Sequence, residues 1–463
     1  MRPLLHKTKM ATDSSTAKRA GLLKSSSIVS AMTMLSRILG LLRDVLLARF
    51  IGADDNADAF FVAFKVPQFL RRLFAEGAFN QAFVPVLTDI KEQHGFDAVK
   101  VLVDRVAASL GLAVFLVVGI VVVGAPVFVY LFAFGFSDNP EKLALTQNLI
   151  QITFPYLFFI TITGFFGSIQ NSYGRFAIPA LTPVLLNISL IVGVVWLSPQ
   201  MQEPVYALAI AVFVAGALQM LFQVPPLMQL RLLPSPEFQW RDEGVQRVLK
   251  LMIPAIFGVS VSQINLMFDT LIATFLPSGS VSWLYFSDRL AELPLGVFAI
   301  AIATVILPSL SRDHSAKSPE QFNGTMNWAL ALVVLIALPA ALALIILAKP
   351  ILMTLFLYGE MTVHDINMAS LSLQAYAIGL TAFMLIKVLA PAYFSRQDTK
   401  TPVRYGIIAM VSNMALNVLF VVPLHMYWQV GHAGLALATA VSAALNAFLL
   451  YRGLVAQNVL NLS

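Results

Sequence analysis

The chain contains no cysteine, which excludes disulfides, thiolate nucleophiles and thiolate-held metals. It is also poor in charge. Asp, Glu, Lys and Arg make up 12% of its 463 residues, against about 25% in a soluble protein. So few charges cannot cover a water-soluble surface, and they also exclude a disordered chain. Histidine is sparse: the six, at 6, 94, 314, 364, 425 and 432, fall in tails or loops, and no two share a helix face at metal spacing. No GxxxxGK[ST] loop is present, so a P-loop ATPase is excluded; nor does a GxSxG, HExxH or Ser-His-Asp pattern supply a nucleophile or a zinc site. Asp54, Asp55 and Asp58 spell DDxxD, a form that holds magnesium diphosphate in prenyl-transferring enzymes. Here it stands in a short loop with no second acidic motif. Neither an enzyme nor a metal cofactor is expected.

What is present is apolar. Hydrophobic residues make up 58% and the mean hydropathy is +0.80. The pI of about 9.4 does not point to nucleic acid, because the bases lie in short loops between apolar runs instead of on one soluble face. A membrane span needs about 20 apolar residues. Twelve runs qualify: 26–50, 57–88, 103–134, 147–170, 178–198, 204–230, 246–274, 281–308, 324–348, 367–393, 403–424 and 432–455. Residues 1–24 read as a basic cytoplasmic tail ahead of an uncleaved first span, since the next apolar stretch is too long for a signal peptide and lacks a small-residue cleavage site. Counting bases at span ends with the adjoining loop, 20 of the 30 Lys and Arg fall on one side, three (Arg49, Lys142, Lys349) on the other and seven deeper inside spans. Basic loops stay inside, so both termini are expected in the cytoplasm of a multi-pass inner-membrane protein.

The chain also repeats itself. Spans 2 and 8 each carry a Phe, a base, a mid-span Pro and a terminal Pro-x-Leu. Pro67 pairs with Pro294 at an offset of 227, and Pro85 with Pro308 and Pro179 with Pro402 at 223. Repeats of six spans keep the same orientation in the membrane. The fold class expected is therefore an all-α polytopic membrane protein, with twelve transmembrane helices in two parallel six-helix bundles around a central cavity. The lobes are residues 25–230 and 246–455, with a linker at 231–245 and a short tail at 456–463. Pro67 and Pro294 remove a backbone donor in mid-span and are candidate hinges; simple packing kinks are the alternative.

Charges gather where the bilayer makes them costly, at roughly 2.5–3.5 kcal/mol each. Span 1 carries Arg37, Arg43 and Asp44; span 2 carries Asp58, Lys65, Arg71, Arg72 and Glu76; span 8 carries Asp288, Arg289 and Glu292. Asp58, Lys65 and Arg72 recur every seven residues and so share a face. These faces are expected to meet around water. Arginine's planar fork binds phosphate oxygens through two parallel bonds, so the set reads as a polyanion or pyrophosphate site; structural ion pairs are the alternative, and the better one for Arg72 with Glu76. Asp269 in span 7, Asn413 and Asn417 four apart in span 11, and Thr439 in span 12 offer oxygens suited to Na⁺. Polar helix packing explains them as well.

The stretches MTMLSRILGLLRD, DAFFVAFKVPQFLRRLFAEGAFNQAFVPVL, GSVSWLYFSDRL, ILPSLS and VLAPAYFSRQDTKTPV resemble the MurJ (MviN) family of lipid II flippases, within the multidrug/oligosaccharidyl-lipid/polysaccharide exporter superfamily. The resemblance covers about residues 22–455. It implies two lobes around a cationic cavity and alternating access, with lipid II as the substrate, membrane lipids around it and cell-wall synthesis proteins as further partners. It also implies that Arg37, Arg43, Asp58, Arg71 and Arg289 match the family's functional charges, with Lys65 and Glu292 in the same motifs, and that a sodium site like that of some members falls at Asp269, Asn413 and Asn417. The family usually has fourteen spans, the last two helping to form a groove for the polyprenyl tail. With twelve, either the groove is built differently or the chain is an incomplete version. Other functions open to the sequence are export of another polyprenyl-linked glycan, drug antiport, and a non-transporting scaffold of the cell-wall synthesis complex. A cationic cavity opposes antiport of cationic drugs.

Overall fold

A computed structural model describes residues 30–72, 79–316 and 318–460. The basic tail, the start of span 1 and Glu76 lie outside the described residues. The described chain is helical: α1 (30–50), α2 (Asp55–Arg71), α3 (Phe79–Val123), α4 (Ala125–Ala133), α5 (Pro140–Thr153), α6 (Tyr156–Ser172), α7 (Ala177–Val192), α8 (Pro204–Phe222) and α9 (Val224–Leu230). There follow α10 (Glu243–Ala273), α11 (Ser280–Pro294), α12 (Ile300–Ser315), α13 (Pro319–Phe356), α14 (Val363–Phe394), α15 (Lys400–Trp428) and α16 (Gly431–Ala456).

Among the described residues, eight helical stretches are long and apolar enough to cross a membrane. They coincide with predicted spans 3–6 and 9–12. The other four predicted spans fall on α1, α2 with the start of α3, α10, and α11 with α12. These are the first two spans of each half, and they include the charge-bearing helices. Gly95, at φ 79°, kinks α3 into two arms, a backbone conformation that favours glycine. The two prolines proposed as hinges behave differently. Pro294 ends α11, and a π-helical turn at Leu295–Ala299 follows. Pro67 lies inside α2, whose helix runs on to Arg71.

The chain divides into two compact units. Among the described residues, unit 1 comprises 30–46, 70–72, 79–123 and 151–256; unit 2 comprises 47–69, 124–150, 257–316 and 318–460. Unit 1 is built on an aromatic and aliphatic core. Phe79 stacks on Phe83 at 5.1 Å, and Phe83 meets Phe165 edge-on at 5.1 Å. Val103, Val106, Leu227 and Val245 close around them. The linker is tied down here: Arg105 pairs with Asp242, and Ser235 N–H donates to Asp104 at 2.7 Å. In unit 2, α14 packs against α13 and α16. Gly379 lets α14 approach α16, since a Cβ there would fall 2.7 Å from the Ala440 backbone; small residues allow such close packing in membranes.

The repeat is visible in the hydrogen bonds. Gln151 Nε2 donates to the Val122 carbonyl at 3.1 Å, and Gln374 Nε2 to the Ile345 carbonyl at 3.1 Å. Donor and acceptor are both displaced by 223 residues, the offset of two of the proline pairs. Each bond turns a polar side chain inward to satisfy a backbone carbonyl on a neighbouring helix, which hydrocarbon cannot do.

Candidate functional site

In unit 1, α1 carries Arg43 and Asp44, only 6% and 3% exposed. Arg43 donates Nε and Nη2 to Asp44 Oδ1 at 2.9 and 2.6 Å, and Nη1 to Asn187 Oδ1 at 2.9 Å. Asn187, on α7, in turn donates to the Ser36 carbonyl at 2.9 Å. A buried charge is tolerated when it is paired and hydrogen-bonded in this way. The guanidinium thus locks α1 to α7. Arg37, two turns earlier, and Arg71, in the last turn of α2, are half-buried.

In unit 2, Asp58 is 1% exposed and sits at the N-terminus of α11. Its carboxylate accepts from Gly279 N–H at 2.8 Å, Ser282 N–H at 3.0 Å and Ser282 Oγ at 2.7 Å. A helix N-terminus presents unpaired N–H groups and a positive dipole end, so an acid there is stabilised. Gly279 makes the turn at φ +92°, and a Cβ would fall 2.6 Å from the Trp283 ring and 2.8 Å from the Ala53 carbonyl. Lys142 on α5 completes the clamp, donating to Asp58 at 3.2 Å and Asp55 at 2.6 Å, with its ammonium 4.1 Å from the Phe136 ring centre. Burial pushes the Asp55 carboxyl up, but the bonds from Lys142 and Ser278 outweigh it and hold it below the ordinary carboxylate range.

Arg289 and Glu292, three apart on α11, meet at 3.3 Å with side chains 29% and 46% exposed. The Arg289 guanidinium also lies 5.1 Å from the Tyr285 ring centre. An open i,i+3 pair is worth at most about 1 kcal/mol, so Arg289 can exchange Glu292 for a stronger anion. Lys65, half-buried on α2, donates to Thr270 Oγ1 at 3.4 Å.

Thr270 adjoins the last cluster. The Asp269 carboxylate accepts from Asn413 at 3.0 Å, Asn417 at 2.6 Å, Thr439 at 3.4 Å and Asn265 at 3.5 Å. Asn265 also accepts from Asn413 at 2.9 Å. Asn413 and Asn417 are fully buried, and the carbonyl oxygen of each lacks a hydrogen-bond partner. Turning either amide over would present that oxygen to the carboxylate, an arrangement that only a cation between them would stabilise. Among the described residues, no group of three or more His, Asp or Glu side chains is placed to hold a metal ion. The donor set at Asp269, one carboxylate with amides and a hydroxyl, suits a singly charged ion.

The structure therefore sorts the expected set into two classes. Arg43, Asp44 and Asp58 are enclosed and engaged with protein groups. Arg37, Lys65, Arg71, Arg289 and Glu292 retain exposure. The four members expected around Asp269 do come together. Sequence reasoning missed Asn265, although its four-residue spacing from Asp269 was there to be read. It also missed Lys142, Asn187 and Ser282, each at least 84 residues from its partner, for which no local signal exists.

The described chain is a helical membrane protein with charged residues buried or half-buried on its helices. The fold resembles a structure described as an inward-facing multidrug resistance MATE family transporter of the MOP superfamily, with TM-score 0.75 over 93% of this chain and 98% of the other, at 13% identity. A nearer likeness, to a lipid II flippase MurJ in an inward closed conformation, has TM-score 0.81 and 29% identity, covering 94% and 88% of the two chains. Residues 47–462 match the family model described as lipid II flippase MurJ. Relatives named "Probable lipid II flippase MurJ" include one from Vibrio cholerae serotype O1, 52% identical over 96% of this chain and 84% of its own. Another from Haemophilus influenzae is 50% identical over 93% and 86%. The chain belongs to the MurJ lipid II flippase family, whose members are transporters and not enzymes.

Proposed function

We infer that this protein flips lipid II, the lipid-linked peptidoglycan precursor, from the cytoplasmic to the outer leaflet of the inner membrane. The undecaprenyl tail stays in lipid while the pyrophosphate and sugar-peptide head cross. The observation that supports this reading most directly is the half-buried cations Arg37, Lys65, Arg71 and Arg289, where Arg43 and Lys142 are enclosed in ion pairs. These cations, with Glu292 as the exchangeable partner of Arg289, are the proposed pyrophosphate ligands. Arg43, Asp44 and Asp58 hold their helices in place. Alternating access moves the head, with Pro67 and Pro294 as the proposed hinges. The inside-negative potential favours outward movement by about 2.3 kcal/mol per negative charge per 100 mV. Membrane lipids surround the protein, and proteins of cell-wall synthesis are proposed partners. The reading is tested by a lipid II accessibility assay in cells depleted of their own flippase. Expression of this chain is expected to restore outer-leaflet lipid II, and failure to restore it would remove the assignment.

The 20-to-3 distribution of bases in loops and at span ends supports cytoplasmic N- and C-termini. Reporters fused at Ser198 or Ser278 are expected to be active only outside the inner membrane; cytoplasmic activity at either would reverse the orientation.

The Asp269 cluster is the proposed site for a coupling Na⁺, with Asn413, Asn417 and Thr439 as further oxygen donors. Sodium is expected to raise the thermal stability of the purified protein, and Asp269→Ala to abolish the increase. An unchanged sodium response in that variant, or none in the parent, would end the proposal.

A further inference from the structure

The two halves carry the same acid and amide within three residues of the 223-residue repeat offset. Asp44 and Asp269 are 225 residues apart, and Asn187 and Asn413 are 226 apart. In the first half the carboxylate is neutralised by a guanidinium from the adjacent residue, Arg43, which also binds the amide. In the second half that adjacent residue is Phe268. The Asp269 carboxylate receives neutral amides and a hydroxyl instead. A positive charge approaches it from another helix: Lys65 donates at 3.4 Å to Thr270 Oγ1, on the next residue along. Lysine is a compact ammonium on a flexible stem, so it can leave this position for another anion nearby.

We propose that Lys65 is a tethered competitor of the coupling cation at Asp269, and that it links cation binding to capture of the diphosphate. The proposal rests on the sodium reading above. Without substrate, the Lys65 ammonium partly neutralises Asp269 and opposes entry of a second positive charge. A diphosphate draws the ammonium away, and the carboxylate with its two orphaned amide oxygens then accepts Na⁺. Linkage is reciprocal: Na⁺ at Asp269 displaces Lys65 toward the diphosphate and raises affinity for it by the same factor. The cation from the membrane's far side and the anionic head thus promote each other's binding without sharing a ligand. Arg43, held by Asp44 and Asn187, is the fixed counterpart of this movable cation.

The test uses the purified full chain in sodium-free micelles, with ²²Na⁺ binding measured with and without undecaprenyl diphosphate. For the parent, the lipid is expected to tighten sodium binding by about tenfold, within the usual range of coupling between linked sites. Lys65→Met is expected to bind sodium about tenfold more tightly without lipid and to gain nothing further when lipid is added. Lys65→Arg should retain the lipid dependence. If Lys65→Met is not recovered folded, Lys65→Gln carries the same expectation. Parent-like or weaker sodium affinity in the neutral variant, or an undiminished effect of the lipid, overturns the role of Lys65 while leaving the sodium site standing. If the parent binds no sodium, or Asp269→Ala binds it equally well, the sodium reading falls and the coupling with it.

Discussion

Arg289→Ala is expected to insert normally and yet fail to expose lipid II on the outer leaflet in depleted cells. The reason lies in the open pair with Glu292 at 3.3 Å. That contact contributes little to folding, so truncating Arg289 leaves the helix intact. Against a desolvated diphosphate the same guanidinium supplies two parallel, charge-assisted bonds. Removing such a partner costs about 2–5 kcal/mol, equivalent to a loss of roughly 30-fold or more in affinity. Arg71→Ala and Arg37→Ala are expected to behave alike. Arg289→Lys should fall between, because an ammonium keeps the charge but not the fork. Membrane-fraction quantification separates loss of transport from loss of protein. Normal export by the well-inserted Arg289→Ala variant would refute the proposed pyrophosphate ligands.

The second large effect is on stability. Asp58→Ala removes the acceptor of three bonds at the start of α11 and one partner of the enclosed Lys142. Breaking a buried pair from one side costs about 3–5 kcal/mol, and the thermal midpoint in detergent should fall accordingly. Lys142→Met should cost less, because Asp58 keeps the helix N-terminus. Ser282→Ala should lose only about 1 kcal/mol, the net worth of one hydrogen bond. A thermal midpoint for Asp58→Ala equal to the parent's would show that the clamp is not holding α11. The acid side of the profile follows from Asp55. Its carboxyl titrates below the ordinary range when folded, so its contribution is complete above the unfolded value and is lost only as pH falls through the lowered one.

Much of the membrane architecture was open to sequence reading. Long apolar runs are costly to expose to water and satisfy their own backbone only as helices, so composition and run length led to a helical, multi-pass fold. The repeat was legible because prolines mark backbone positions that side-chain drift does not erase. Pro294 does introduce a change of helix type; Pro67 does not end its helix. The Asp269 centre was partly legible, since Asn413 and Asn417 share a face by spacing alone. Asp58, by contrast, has the same seven-residue relation to Lys65 that suggested a common polar face. It is instead enclosed by the start of α11, 221 residues away along the chain, and by Lys142.

The amino-acid sequence by itself determined the class of protein and the helices on which charge is concentrated. These follow from local quantities: transfer free energy and helical periodicity. Only the tertiary structure decided which charges are spent. Arg43 and Arg289 look alike on their helices, but one is consumed by Asp44 and Asn187, and the other is held loosely by an exposed glutamate. A charge's availability depends on partners that folding brings from distant helices and on the water they exclude, and neither is encoded in the spacing of its neighbours.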